Sequence, residues 1–283
     1  MRHGHVPLSL AVCASLCSLV SVTGSEPPAD VPFDLVQQHL IVAKGSIGGL
    51  HGLNLLIDTG TIPSVVDQRI AKKLRLQAVP SELVAFGQTV RVSSASVTGL
   101  RIGVFQPGEV PAGIGDLSYV EGGGIDAIVG LDVLSRASFR IDYKAHTLSF
   151  GASDPESFTA PLQIVWPFVT VRLRVAGHPM QLLVDTGSRD LVLFKSRMPA
   201  PLLPVPWKGD KVIQYASGRA RLLRYDLRQV TLGNQHWDSL PGFVLDRSTD
   251  GYPAGIDGVL GVCALGGTRV RFDFDHGELS WDN

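Results

Sequence analysis

Two aspartates in the same short context are the residues of this chain best suited to chemistry. Asp58 stands in LNLLIDTGT (Leu53–Thr61) and Asp185 in MQLLVDTGS (Met180–Ser188). In each, an apolar run leads straight to a carboxylate, which is costly to bury unless it is hydrogen-bonded or paired. The Thr and Gly that follow offer a hydroxyl, an amide and a backbone free to turn sharply. One such tripeptide is an ordinary turn. Two copies at matching points of a repeat point to a pair. Two carboxylates that meet cannot both ionise easily, so one keeps its proton while the other is charged. Such a pair can hold a water. The charged member takes its proton and the protonated member polarises a carbonyl, which is general acid–base hydrolysis with no covalent intermediate and no metal.

The elements that must position these aspartates repeat as well. Ile125–Phe150 (IDAIVGLDVLSRASFRIDYKAHTLSF) aligns without a gap with Ile256–Trp281 (IDGVLGVCALGGTRVRFDFDHGELSW), an offset of 131 residues. Ile125 matches Ile256, Asp126 matches Asp257, Gly130 matches Gly261, Arg140 matches Arg271 and Asp142 matches Asp273. Each segment reads as a buried strand, a bend at the glycine and a hairpin turning at 142–146 or 273–277. The aspartates themselves are 127 residues apart. Each half is about 125 residues and carries the same parts in the same order. Pseudo-twofold packing would bring matching points together near an axis. The join is expected in Gly151–Pro161. The halves differ after the aspartates: Ser64–Leu76 reads as a short amphipathic helix with Ser64 as N-cap, whereas Leu191–Pro206 holds too much proline for one.

Composition narrows the class. The formal net charge is −1 and no basic cluster stands out, so nucleic acid and anionic membranes are not expected partners. The 31 glycines and 18 prolines, scattered between short runs of Val, Ile, Leu and Phe, read as an all-β chain with many turns. Arg2, His3 and His5 precede an apolar run, Leu8–Val22, and small residues follow it. That order is a secretory signal peptide, expected over residues 1–25, with an uncleaved membrane anchor as the alternative. Export to a periplasm or to the outside follows, with no membrane contact after leader removal. The only cysteine left would be Cys263, in an apolar stretch, so the core and not a disulfide must hold the fold.

With these motifs the chain resembles the aspartic proteases. It is close to the bacterial retropepsin-like members, with two units fused in one chain as in pepsin-like enzymes. The resemblance rests on LLIDTGT and LLVDTGS, on AIVG (Ala127–Gly130) and GVLG (Gly258–Gly261), and on the closing RIDYKAHTLSF and RFDFDHGELSW. It covers nearly all of Leu40–Asp282. It implies an all-β, bilobal acid-protease fold with two β-barrel-like lobes, over 31–152 and 160–283, and a cleft between them. It implies an aspartic endopeptidase with Asp58 and Asp185 as the catalytic dyad. Thr59 and Thr186 would lock the loops by crossing hydrogen bonds, Gly60 and Gly187 would let the backbone approach the dyad, and Thr61 and Ser188 would offer hydroxyls to the carboxylates. Hydroxyl donors favour the ionised form, so an acidic optimum is expected. The substrate would be an extended polypeptide, pepstatin-like inhibitors could bind, and the chain would act as a monomer with pseudo-twofold symmetry. No cofactor and no metal are expected, nor a long pro-segment before Phe33.

The family covers its cleft with a hairpin. Phe86 and Gly87 in the first half and Tyr215 and Gly218 in the second are candidate tips, with ordinary hairpin turns as the alternative. Asp246–Asp257 has a passing likeness to a calcium loop, but no helical pattern flanks it. The glycine clusters lack the Lys and Ser/Thr of a phosphate loop, and no Gly-x-Ser-x-Gly elbow occurs. The histidines lack metal spacing. Trp166, Trp207 and Trp237 are expected to pack, with lining of a cleft as the alternative. Three rivals stand beside the enzyme: a non-catalytic peptide-binding protein on the same two lobes, a site shared between two chains, and an inert tandem.

Overall fold

The computed structural model describes residues 30–85, 88–120, 122, 124–151, 154–202, 210–215, 218–246, 249 and 251–282. The first half contributes β1 (Val31–Val36), β2 (Leu40–Ile47), β3 (Leu50–Ile57), β4 (Val65–Asp67), β5 (Val79–Ala85), β6 (Gln88–Val97), β7 (Val110–Gly115), β8 (Ala127–Val129), β9 (Phe139–Asp142) and β10 (Thr147–Phe150). The second contributes β11 (Phe158–Pro161), β12 (Gln163–Val165), β13 (Phe168–Val175), β14 (His178–Asp185), β15 (Leu191–Phe194), β16 (Asp210–Tyr215), β17 (Gly218–Leu232), β18 (Gln235–Leu245), β19 (Gly258–Gly261), β20 (Arg269–Asp273) and β21 (Glu278–Asp282). Two short helices, α1 (Gln68–Lys73) and α2 (Leu131–Leu134), lie in the first half. The fold is all-β and two-lobed. No helix among the described residues is long and apolar enough to cross a membrane.

The repeat in the sequence becomes a repeat in strand order. One lobe runs β2-β3-β8-β4-β7-β6-β5 and the other β13-β14-β19-β15-β18-β17-β16. Polarity repeats too: β3 lies parallel to β8 and β14 to β19, while β4 and β15 each lie antiparallel to that inner strand. The second lobe closes on itself because β13 also pairs with β17. The first comes together through a bridge between Ser46 and Arg101. Parallel inner strands buried on both faces need continuous apolar runs, and Leu55, Leu56 and Ile57 of β3 and Leu182, Leu183 and Val184 of β14 supply them, all buried.

A shared sheet joins the lobes. Strands β1, β10, β9, β20, β21 and β11 form a continuous antiparallel set, with β9 of the first half against β20 of the second. The two closing hairpins expected from the sequence are thereby united in one sheet. Phe158–Pro161, inside the expected join, is therefore strand.

Three local expectations need correction. The helix expected over Ser64–Leu76 begins later: Val65 and Val66 enter β4, paired with β7 and β8, because β-branched residues buried on both sides favour strand there. The N-cap is Asp67, whose carboxylate accepts the Arg69 N–H at 2.8 Å. Ser64 instead gives its N–H and hydroxyl to Asp132. In the second lobe β15 and two 3-10 turns occupy 191–202 with no α-helix, as the prolines required. Trp166 does not pack: it stands 83% exposed at the turn between β12 and β13. Trp237 does pack on the core, and Trp207 lies outside the described residues.

Candidate active site

Each aspartate sits where an inner strand ends. Asp58 follows β3, and its N–H donates to Val129 O of β8 at 3.0 Å. Asp185 closes β14, in register with Gly261 of β19. The repeated Asp126 and Asp257 keep these strand pairs aligned. The Asp126 carboxylate accepts Asn54 N–H (2.9 Å), and that of Asp257 accepts Gln181 N–H (2.8 Å). They are structural residues, which accounts for their place in the repeat.

The two loops are locked together by their threonines. Thr59 N–H donates to Thr186 Oγ1 and Thr186 N–H to Thr59 Oγ1, both at 3.0 Å. Each hydroxyl then donates across the junction, Thr59 to Val184 O (2.9 Å) and Thr186 to Ile57 O (2.8 Å). Both side chains are fully buried. Four hydrogen bonds thus satisfy every buried polar group that the two threonine side chains and their N–H groups bring to the junction.

That lock sets each glycine against the opposite aspartate. A Cβ on Gly60 would lie 2.5–2.6 Å from the carboxylate atoms of Asp185, and one on Gly187 would lie 2.7–2.8 Å from those of Asp58. Glycine is required here by space and not by backbone conformation. The loops also supply donors: Gly60 N–H to Asp58 Oδ1 (2.8 Å) and Gly187 N–H to Asp185 Oδ1 (2.7 Å). Beyond them symmetry breaks. Thr61 donates its hydroxyl to Asp58 Oδ2 at 2.7 Å, whereas Ser188 reaches Asp185 through its backbone N–H.

Burial, the charge of Asp58 and a hydrogen bond with that residue push the Asp185 carboxyl well above the ordinary carboxylate range, against the pull of the Gly187 and Ser188 N–H groups. The pair therefore retains a proton that one exposed aspartate would have lost, and that proton belongs to the two together.

Two of the candidate flap residues are hairpin positions. Tyr215 and Gly218 form the last backbone pair of β16–β17. Phe86 and Gly87 lie outside the described residues, between Ala85 and Gln88, which close β5–β6.

The structure does bring up residues that sequence reasoning passed over. Tyr119, half-buried, packs on the cluster formed by Leu117, Val120 and Ile125. Burial, and then the charge of Asp58, push its phenol up to about 12. Tyr252 packs on the matching cluster of the second lobe, which includes Phe194 and Ile256. The signal was present: each tyrosine lies a few residues before the repeated isoleucine. Ser64 ties the first loop down, since its Oγ also accepts the Gly130 N–H (2.9 Å). Within Asp246–Asp257, Asp246 pairs with Lys195 at 2.6 Å and Asp257 holds β14, while backbone carbonyls surround the Arg197 guanidinium. Cys263 is partly buried in the 3-10 turn after β19, and burial pushes its thiol up.

Comparison with known proteins agrees with the repeat. The sequence profile for aspartyl protease matches residues 43–133 and again 171–264, so one unit falls on each aspartate. A search of curated proteins returns no match. With both units matched over more than half of its length, the chain belongs to the aspartyl protease family.

Proposed function

We propose that the protein is an endopeptidase that hydrolyses peptide bonds with a water held between Asp58 and Asp185. One observation carries this reading: the crossed threonine bonds set each Asp-Thr-Gly glycine against the other loop's carboxylate, within one chain. A turn used only for structure has no need to aim two carboxylates at one place, since the second costs free energy by repulsion.

The asymmetry of donors supports one starting state. Asp185, whose carboxyl is raised, starts with the proton, and Asp58, which accepts the Thr61 hydroxyl, serves as the base. Asp58 takes a proton from the water as the water oxygen bonds to the scissile carbonyl carbon. Asp185 gives its proton to the carbonyl oxygen, forming a neutral gem-diol. Collapse returns a diol proton to Asp185, the C–N bond breaks, and Asp58 protonates the leaving nitrogen. Thr59 and Thr186 hold the geometry, and Thr61 and Ser188 set the charge distribution. An extended peptide would lie across the pair and bond to strand edges. On the same reading the chain acts as a monomer and its leader directs it to a periplasm or to the outside.

The test is cleavage of a quenched peptide library across acidic to neutral pH, with and without pepstatin, beside Asp58→Asn and Asp185→Asn. Loss of activity in both variants is expected. Activity that survives in either one would mean that the halves do not share a site. A folded wild type that cuts nothing at any pH would leave peptide binding as the function.

A further inference from the structure

Arg197 ends the 3-10 turn Lys195–Arg197 that follows β15. Its guanidinium is spent on one loop. Nη1 donates to the carbonyls of Pro253 (2.8 Å) and Ile256, and Nη2 to those of Thr249 (3.0 Å) and Tyr252 (3.1 Å). Its Cζ lies 5.6 Å from the centroid of the Phe194 ring, and Phe194 in turn packs on Tyr252 with ring centroids 4.8 Å apart. A planar fork with five N–H donors can collect acceptors spread across a loop, whereas an ammonium offers three donors at a single point.

The loop leads directly into the site. Its last carbonyl belongs to Ile256. Next comes Asp257, bonded through N–H and carboxylate to Gln181 of β14. Then β19 runs beside β14 as far as Asp185. The first lobe has a reduced version of the same tie. Arg69 donates Nη2 to the carbonyl of Ile125 (3.1 Å), the counterpart of Ile256, but commits its Nε to the Asp67 carboxylate (2.8 Å). One lobe thus holds its loop by a single carbonyl and the other by four.

We propose that Arg197 is a positioning residue for substrate binding. It gathers the loop carbonyls and so holds Tyr252 against Phe194 and the apolar cluster that includes Leu183 of β14, making that loop the second lobe's wall for an extended peptide. This rests on the hydrolase reading above. Arg197 touches no reacting atom, so it acts on the binding of substrate and not on proton transfer.

The experiment uses the full chain carrying Arg197→Lys or Arg197→Met, read by peptide cleavage and by hydrogen exchange of the amides in 249–256. Arg197→Met is expected to raise KM about tenfold with kcat within about twofold, at an unchanged pH profile. Exchange in the loop should quicken about tenfold while β14 and β19 stay protected. Arg197→Lys should recover little of KM, because its ammonium cannot span the four carbonyls. In Arg197→Ala, millimolar methylguanidinium should lower KM back towards wild type. An unchanged KM in Arg197→Met overturns the proposal, as does a fall in kcat at constant KM. If the wild type cuts no peptide, the hydrolase reading fails by itself. Loop exchange then decides here: unchanged exchange in Arg197→Met overturns the positioning role, and faster exchange confined to the loop retains it.

Discussion

Arg140 and Arg271 are equivalent positions of the internal repeat, and they are also direct register partners across β9 and β20. A residue that pairs with its own repeat lies on the pseudo-twofold axis. The flanking pairs obey the same symmetry: Phe139 faces Phe272, their rings stacked 4.7 Å apart, and Ile141 faces Val270. The axis therefore passes through the strands that join the lobes. The same symmetry relates Thr59 to Thr186 at the other junction. Two contacts, one sheet and one loop crossing, fix how the halves meet.

The loop crossing is testable by removing one hydroxyl. Thr186→Val keeps the shape but leaves the buried Thr59 N–H without its acceptor and Ile57 O without its donor. A loss of about 1–3 kcal/mol is expected, from the cost of unsatisfied buried groups. Chemical denaturation measures it. Because Thr59→Val breaks the same network, the double variant should lose clearly less than the sum of the two singles.

Gly60→Ala tests the close approach. Its Cβ cannot sit 2.5 Å from the Asp185 carboxylate, so loop or carboxylate must move. A displacement of about 1 Å at reacting groups costs on the order of a hundredfold in rate. Steady-state cleavage should show that loss mainly in kcat, while the melting temperature shifts by only a few degrees.

Asp185→Asn should stabilise the protein at neutral pH. The wild-type carboxyl is raised in the folded state, so the folded form binds the extra proton. The associated stability is full below the unfolded carboxylate pKa and is lost as pH rises through the folded value. The amide removes that penalty. A rise in Tm of about 2–4 °C per kcal/mol relieved is expected near neutrality, with little change at about pH 4. Scanning calorimetry at both pH values decides this, and no gain at neutral pH would contradict the raised carboxyl.

The sheet between the lobes has the opposite dependence. Arg271 and Asp273 form a buried ion pair at 2.7 Å, and the Asp273 carboxylate also accepts the His276 N–H at 3.0 Å. Burial pushes the Asp273 carboxyl up, but the donors of His276 and Arg271 outweigh it and hold it well below the usual range. Its contribution is full above the unfolded carboxylate pKa and is lost as pH falls through the depressed one. Asp273→Asn should cost about 3 kcal/mol at neutral pH, since it leaves a buried guanidinium without its counter-charge. The gap from wild type should narrow on acidification. Urea unfolding at about pH 7 and about pH 3 makes the comparison.

Much of this protein could be read from the chain alone. Apolar runs ending in Asp-Thr-Gly, twice, and repeated Ile-Asp segments determined two similar β-rich halves, each with an aspartate at the end of an inner strand. Those patterns are local: burial on both faces of a strand and the tight turn after it are written in adjacent residues. What needed tertiary structure is whatever depends on distant partners. Ser64 reads as a good N-cap, yet Asp132 claims it and Asp67 caps the helix. Asp246–Asp257 reads as acidic, yet its carbonyls face a guanidinium more than fifty residues away in sequence. The glycines of the two loops read as turn formers, yet each is needed because the opposite carboxylate occupies the space of a Cβ. Thr61 and Ser188 read as equivalent hydroxyls, yet among the described contacts only Thr61 gives its hydroxyl to the nearby carboxylate. The pairing of Arg140 with Arg271 could not be foreseen either, because a repeat states which positions are equivalent and only packing states which of them meet.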